Sequence, residues 1–140
     1  MGTVNFFNED IDFTPPSINS AKEWITNVIA QEGFELLELN YIFCSDTYLH
    51  KINQSYLNHD DYTDIITFDN SEVEEQIEGD IFISVERVKE NSTIHHTAFV
   101  NELYRVMVHG VLHLTGYDDH SEADIKIIRN KEDTYLKLIQ

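Results

Sequence analysis

Residues 109 to 120 read His109-Gly110-Val111-Leu112-His113-Leu114-Thr115-Gly116-Tyr117-Asp118-Asp119-His120, and no other stretch limits the fold so tightly. Leu103, Val106, Met107, Gly110, Val111 and Leu114 recur at helical spacing, which predicts a long helix with one apolar face. His109 and His113 lie one turn apart at the edge of that face, so two imidazoles can address one ion. Gly116 stops the helix and lets the chain turn back. A third donor from Asp118, Asp119 or His120 closes three corners of a tetrahedron and leaves the fourth for water, the open arrangement of a catalytic zinc.

Either histidine alone reads as an ordinary half-buried side chain. The pair, followed by a glycine turn and an Asp-Asp-His cluster, reads as a site for one Zn2+ ion. Cys44 is the only cysteine, so neither a disulfide nor a pair of thiols is available, and His with Asp or Glu must hold the metal. A length of 140 residues with 41% hydrophobic content suits one domain over 1–140 with a real core. No segment approaches the roughly 20 apolar residues of a membrane span. Residues 1–12 carry acids and no basic or long apolar leader, and a cytoplasmic protein without membrane partners is expected.

Twenty-six Asp and Glu against nine Lys and Arg give a net charge of −17, which repels a polyanion at long range. The excess is regional: from Asp60 to Asp80 there is no Lys or Arg, whereas Arg87, Lys89, Arg105, Lys126, Arg129, Lys131 and Lys137 come later. A locally positive face near the histidine run is compatible with this, although most of these residues read as solvated surface.

The remaining pattern is α+β. Thr3 to Phe7 reads as a strand. Ser20 with Glu23 reads as a capping box opening a helix that Gly33 closes. The alternating Leu37, Leu39, Tyr41 and Phe43 predict a strand over 36–44, and Ser45-Asp46 caps a helix to about Leu57. Strands over 64–69 and 80–85, joined by an acidic connection, complete a small mixed sheet of about four strands surrounded by helices. A short helix over 86–90, the long one over 97–115 and a last one over 121–139, opened by Ser121 and Asp124, follow. The metal site falls at the C-terminal end of the long helix. His50, His59, His95 and His96 are assigned no metal role.

The chemistry is bounded by what is missing. Zinc proteases place a glutamate directly after the first histidine as general base, and here that residue is Gly110, so a standard protease is disfavoured. Hydrolysis remains open, because a bound divalent ion acidifies water and polarises a carbonyl or phosphoryl oxygen. Asp118, Asp119 and Glu122 are candidates for proton transfer, with no spacing rule to rank them.

The run His109-Gly-Val-Leu-His113-Leu-Thr-Gly116-Tyr117-Asp118 resembles the signature of the YbeY family, bacterial metal-dependent endoribonucleases of ribosomal RNA maturation and ribosome quality control. Asn53-Gln-Ser-Tyr56 with Tyr62-Thr63-Asp64-Ile65-Ile66-Thr67-Phe68, and Gly79-Asp80-Ile81-Phe82-Ile83, resemble further family segments, so the likeness runs from about Leu39 to Ile139. It implies an α+β domain with a small central sheet, and hydrolysis of single-stranded RNA at a zinc held by three histidines, two of which carry over to His109 and His113. The family's third histidine falls on Asp119, with His120 one residue late; spacing favours Asp119 and ligand type favours His120. An Asp ligand makes the site one unit more negative and favours a harder metal. The family's arginine after Tyr56 is Leu57 here, and Arg105, one turn before His109, is the nearest substitute for a phosphate contact; an ion pair with Glu102 or another acid is its competing role.

The resulting expectation is an endoribonuclease acting on single strands in small-subunit ribosomal RNA 3′ maturation and ribosome quality control, with ribosomal RNA and ribosome-associated proteins as partners and no DNA. Its metal ligands are His109, His113 and Asp119 or His120, with Arg105 and Asp118 catalytic. Another zinc hydrolase, or a ribosome assembly factor with a structural metal, are the alternatives.

Overall fold

The computed structural model describes residues 2–57 and 62–139; His59, Asp60 and Asp61 of the sequence reading fall outside them. The elements run β1 (Thr3–Asn8), α1 (Ile18–Gln31), β2 (Glu35–Cys44), α2 (Asp46–Leu57), β3 (Ile65–Asp69), β4 (Gln76–Ser84), α3 (Val85–Ile94), α4 (Phe99–Leu114) and α5 (Glu122–Leu136). The four strands form one mixed sheet in the order β1-β2-β4-β3, with β1, β2 and β4 parallel and β3 antiparallel to β4. This is the expected α+β class with the expected strand number.

Period-two alternation explains the layers. Leu39, Tyr41 and Phe43 of β2 and Ile81 and Ile83 of β4 bury one face against Trp24, Ile25 and Val28 of α1 and Leu103, Met107 and Val111 of α4. The Tyr41 hydroxyl donates to the Met107 carbonyl at 2.8 Å, so this fully buried tyrosine carries no orphaned polar atom. On the other face Cys44, Ile66, Phe68 and Phe82 pack with Leu49 and Ile52 of α2.

Of the boundaries that differ from the sequence reading, three have a clear local cause. The first helix begins at Ile18 after Ser17, so Ser20 lies inside it and makes no capping box. Its C-terminus is as expected: Gly33 has φ 84°, its N–H donates to Ala30 O, and the Phe34 N–H donates to Ile29 O. β4 begins at Gln76, within the acidic segment, because Glu78 and Asp80 face away from the core while Ile77, Ile81 and Ile83 face into it. α3 runs on to Ile94, and Ser84 caps it by accepting from the Arg87 N–H at 3.1 Å.

Gly110 fixes the depth at which α4 sits on the sheet. A Cβ there would stand 2.9 Å from the Cδ1 atoms of both Ile65 and Ile81. The helix therefore comes down close to β3 and β4, and its histidine edge emerges beside the outer strand β3.

Candidate metal centre

His109 and His113 leave α4 with their Nε2 atoms 3.0 Å apart. The turn after the helix supplies the third donor: Asp119 Oδ2 lies 3.7 Å from His109 Nε2 and 3.6 Å from His113 Nε2. Ligand atoms bound tetrahedrally at zinc distances stand about 3.4 Å from one another, so the observed triangle has the dimensions of one face of such a site. It is also the one His/Cys/Asp/Glu group among the described residues whose donors converge in this way.

The turn is built for this convergence. Gly116 takes φ 106°, its N–H donates to His113 O at 3.1 Å and the Tyr117 N–H donates to Leu112 O at 3.0 Å, which closes α4 and reverses the chain. The Tyr117 hydroxyl donates to Glu32 at 2.7 Å, tying the turn to the end of α1. Two residues past Asp119, Ser121 caps α5 by accepting from the Asp124 N–H at 3.1 Å. Asp119 is thus held between a helix stop and a helix start.

The tautomer of His109 follows from its other nitrogen. Glu132 Oε2 lies 2.6 Å from His109 Nδ1, so Nδ1 carries the proton and Nε2 keeps its lone pair toward His113 and Asp119. Two imidazole lone pairs and a carboxylate oxygen facing one another repel unless a cation or a proton lies among them, and a divalent ion suits this donor set. Burial opposes protonation of His109, but the hydrogen bond and charge of Glu132, with Asp119 and Asp64 adding, outweigh it and raise its pKa above the ordinary 6.5.

The sequence-derived candidates do not all meet here. Asp119 joins the histidine pair, whereas His120 and Asp118 are exposed and stand outside the cluster. Arg105 lies one turn before His109, but its guanidinium is engaged: Nη1 donates to Glu132 Oε1 at 2.8 Å and Nη2 to Asp133 Oδ1 at 2.6 Å. Its partners are on α5, and Glu102 pairs instead with His95 Nδ1 at 3.1 Å. Position 110 points at the sheet, so a protease-type base could not reach this centre from it.

Two residues of the site escaped the sequence reading. Glu132 is 3% exposed and shares the core-facing stripe of α5 with Ile128 and Tyr135; an acid at a core position was the available signal. Asp64, just before β3, lines both clefts beside the centre, and burial raises its carboxyl pKa against the opposing influence of His109. One cleft, of about 310 Å³, runs between α4 and α5 past Arg105, His109, Asp119 and Glu132. The other, of about 350 Å³, runs between α2 and β3 past Asn53, Leu57, Thr67 and His113.

Fold and site together define an α+β domain with a helix-borne His/His/Asp centre at the edge of a mixed sheet. The family model described as Endoribonuclease YbeY matches residues 4–140, and the chain belongs to that family. A curated Endoribonuclease YbeY of Cytophaga hutchinsonii is 49% identical over 136 residues, covering 97% of this chain and 95% of that protein. The Endoribonuclease YbeY of Flavobacterium psychrophilum is 52% identical over 132 residues, covering 94% of each. Among solved structures, a Thermotoga maritima protein determined in solution is similar with a TM-score of 0.68 at 26% identity, over 97% of this chain and 88% of that one.

Proposed function

We propose that the chain is a metal-dependent endoribonuclease of single-stranded RNA that matures the 3′ end of small-subunit ribosomal RNA and acts in ribosome quality control. The observation that carries this reading is the triangle of His109, His113 and Asp119 donors inside a chain of the endoribonuclease family. His109, His113 and Asp119 hold one ion, with zinc as its identity. When bound, that ion supplies a Lewis acid for the phosphoryl oxygens and acidifies water for attack on phosphorus.

The protein's own groups do the rest. Glu132 orients His109 through Nδ1, and Arg105 holds Glu132 in place. Asp64, with its raised pKa, stands at the junction of the two clefts, where it can take a proton from water or return one to the departing ribose oxygen. The Leu57 position supplies no cation.

His109→Ala tests the reading. Cleavage of a single-stranded ribosomal RNA 3′ precursor should fall by at least about a hundredfold, as expected when the metal chemistry is lost, and cells with this allele should accumulate small-subunit RNA with unprocessed 3′ ends. Full cleavage by the purified variant would remove the nuclease assignment.

A further inference from the structure

We propose that Arg129 is the phosphate-binding residue of the cleft between α4 and α5, holding the RNA backbone against the His109 and Asp119 side of the centre. The inference rests on the nuclease reading above. A chain of net charge −17 repels RNA as a whole, so a phosphodiester reaches the centre only where a local cation receives it. Among the described residues, two cationic side chains line the clefts beside the donors: Arg105 and Arg129.

Arg105 is committed. Its guanidinium is neutralised by Glu132 and Asp133, and the side chain is 24% exposed. Turning it to a phosphate would strip Glu132 of its partner and disturb the group that orients His109. Arg129 is exposed on α5 and makes no ion pair or hydrogen bond with any described residue, yet it lines the same cleft as His109 and Asp119. Its five N–H donors are therefore available in the fork geometry that matches phosphate oxygens.

The neighbours fit a nucleotide. Ile128 is 2% exposed and seats this turn of α5 in the core, which fixes the backbone from which Arg129 projects. Ile125, one turn earlier on the same face, is 45% exposed and lines the cleft too. An apolar ledge beside a free guanidinium receives the ribose or base of the nucleotide whose phosphate Arg129 holds. The opposite cleft has no Lys or Arg among its described lining residues.

The test uses the zinc-loaded full chain with two probes: a fluorescent 2′-O-methyl RNA oligonucleotide for binding by anisotropy across a salt series, and the cleavable oligonucleotide for kinetics. Arg129→Gln is compared with Arg129→Lys and with Lys137→Gln, which removes one exposed charge outside both clefts. Arg129→Gln should weaken binding and raise KM by about tenfold, with kcat within about twofold, because the contact positions the strand in ground and transition states alike. The slope of log affinity against log salt should be shallower by about 0.7 than that of Lys137→Gln, one phosphate contact on a single strand. Arg129→Lys should recover part of the loss. If Arg129→Gln matches Lys137→Gln in affinity, KM and salt slope while His109→Ala abolishes cleavage, Arg129 holds no phosphate and the nuclease reading stands. If the unaltered protein neither binds nor cuts RNA, both are overturned.

Discussion

Replacing Glu132 by glutamine separates a buried carboxylate that orients the centre from one that merely fills the α4–α5 interface. Glu132 is 3% exposed, and its two oxygens accept from Arg105 Nη1 at 2.8 Å and from His109 Nδ1 at 2.6 Å. An amide of the same shape must turn its NH2 toward one of these donors. Turned toward His109, it forces the proton from Nδ1 to Nε2 and removes a lone pair from the triangle; turned toward Arg105, it leaves that guanidinium only Asp133. The first route costs about ten- to a hundredfold in metal affinity, the range for groups that orient a ligating histidine. The second costs about 1.5 kcal/mol of stability, the low end for a hydrogen bond to a charged group, since Asp133 remains. Zinc affinity is read by competition with a chromophoric chelator, and metal-free stability by thermal melting, where that loss lowers Tm by about 3 to 6 °C. In the metal-free protein, the His109 pKa followed by NMR should also fall once the Glu132 charge that raises it is gone. A zinc affinity within twofold of the parent, with an unchanged His109 titration, would refute the assignment of Glu132 as the orienting group.

Two further outcomes follow from named contacts. Glu32 accepts from the hydroxyls of Tyr135 and Tyr117 and pairs with Lys131 at 3.3 Å; burial alone would raise its pKa, but these partners hold it below the ordinary 4.5. A depressed folded-state pKa contributes stability above pH 4.5 that is lost as pH falls through the folded value, so Glu32→Gln should be less stable than the parent at pH 6 to 7 and converge with it in acid; parallel denaturation curves at pH 7 and pH 3 would contradict this. Asp119→His replaces an anionic oxygen donor by imidazole and makes the centre one unit less negative, so the preference for Zn2+ over Mn2+ should rise by roughly tenfold, measured by metal competition; an unchanged ratio would place Asp119 outside the ligand set.

The parts legible in the sequence are those written in local periodicity. The α4 stripe, the Gly116 stop, the Ser121 cap and the alternating Leu39, Tyr41 and Phe43 each follow from neighbours within one or two turns, and the structure places them as expected. The first helix start went differently because Ser20 and Glu23 satisfy the capping pattern by type while Ser17, in a left-handed conformation, precedes the helix. The metal triangle was half legible: four-residue spacing gave His109 and His113, but the choice between Asp119 and His120 depends on how the turn lands, which Tyr117 and Glu32 decide across a separation of 85 residues. Glu132 offered only the hint of an acid at a core position of α5, and Arg129 nothing that singled it out from the other basic residues of the C-terminal half. They meet the centre only when α5 packs back on α4, and no local rule relates them to His109.

That packing also explains why a strongly acidic chain can serve an anionic substrate. Asp64, Asp119 and Glu132 surround His109, and one guanidinium, Arg105, is engaged by Glu132. Without an ion this basin is negative, and an approaching phosphodiester meets repulsion from the site as well as from the whole surface. A bound divalent cation offsets that charge without altering any side chain. Arg129, without an acidic partner among the described residues, then gives the strand a second positive contact on the α5 side. Metal and RNA become mutually favourable ligands, each tightening the other by the same factor. The acidity of the surface is then an asset: with few other cations near the clefts, weak sequence-independent binding elsewhere is suppressed, and RNA is retained where the metal and Arg129 can both be engaged.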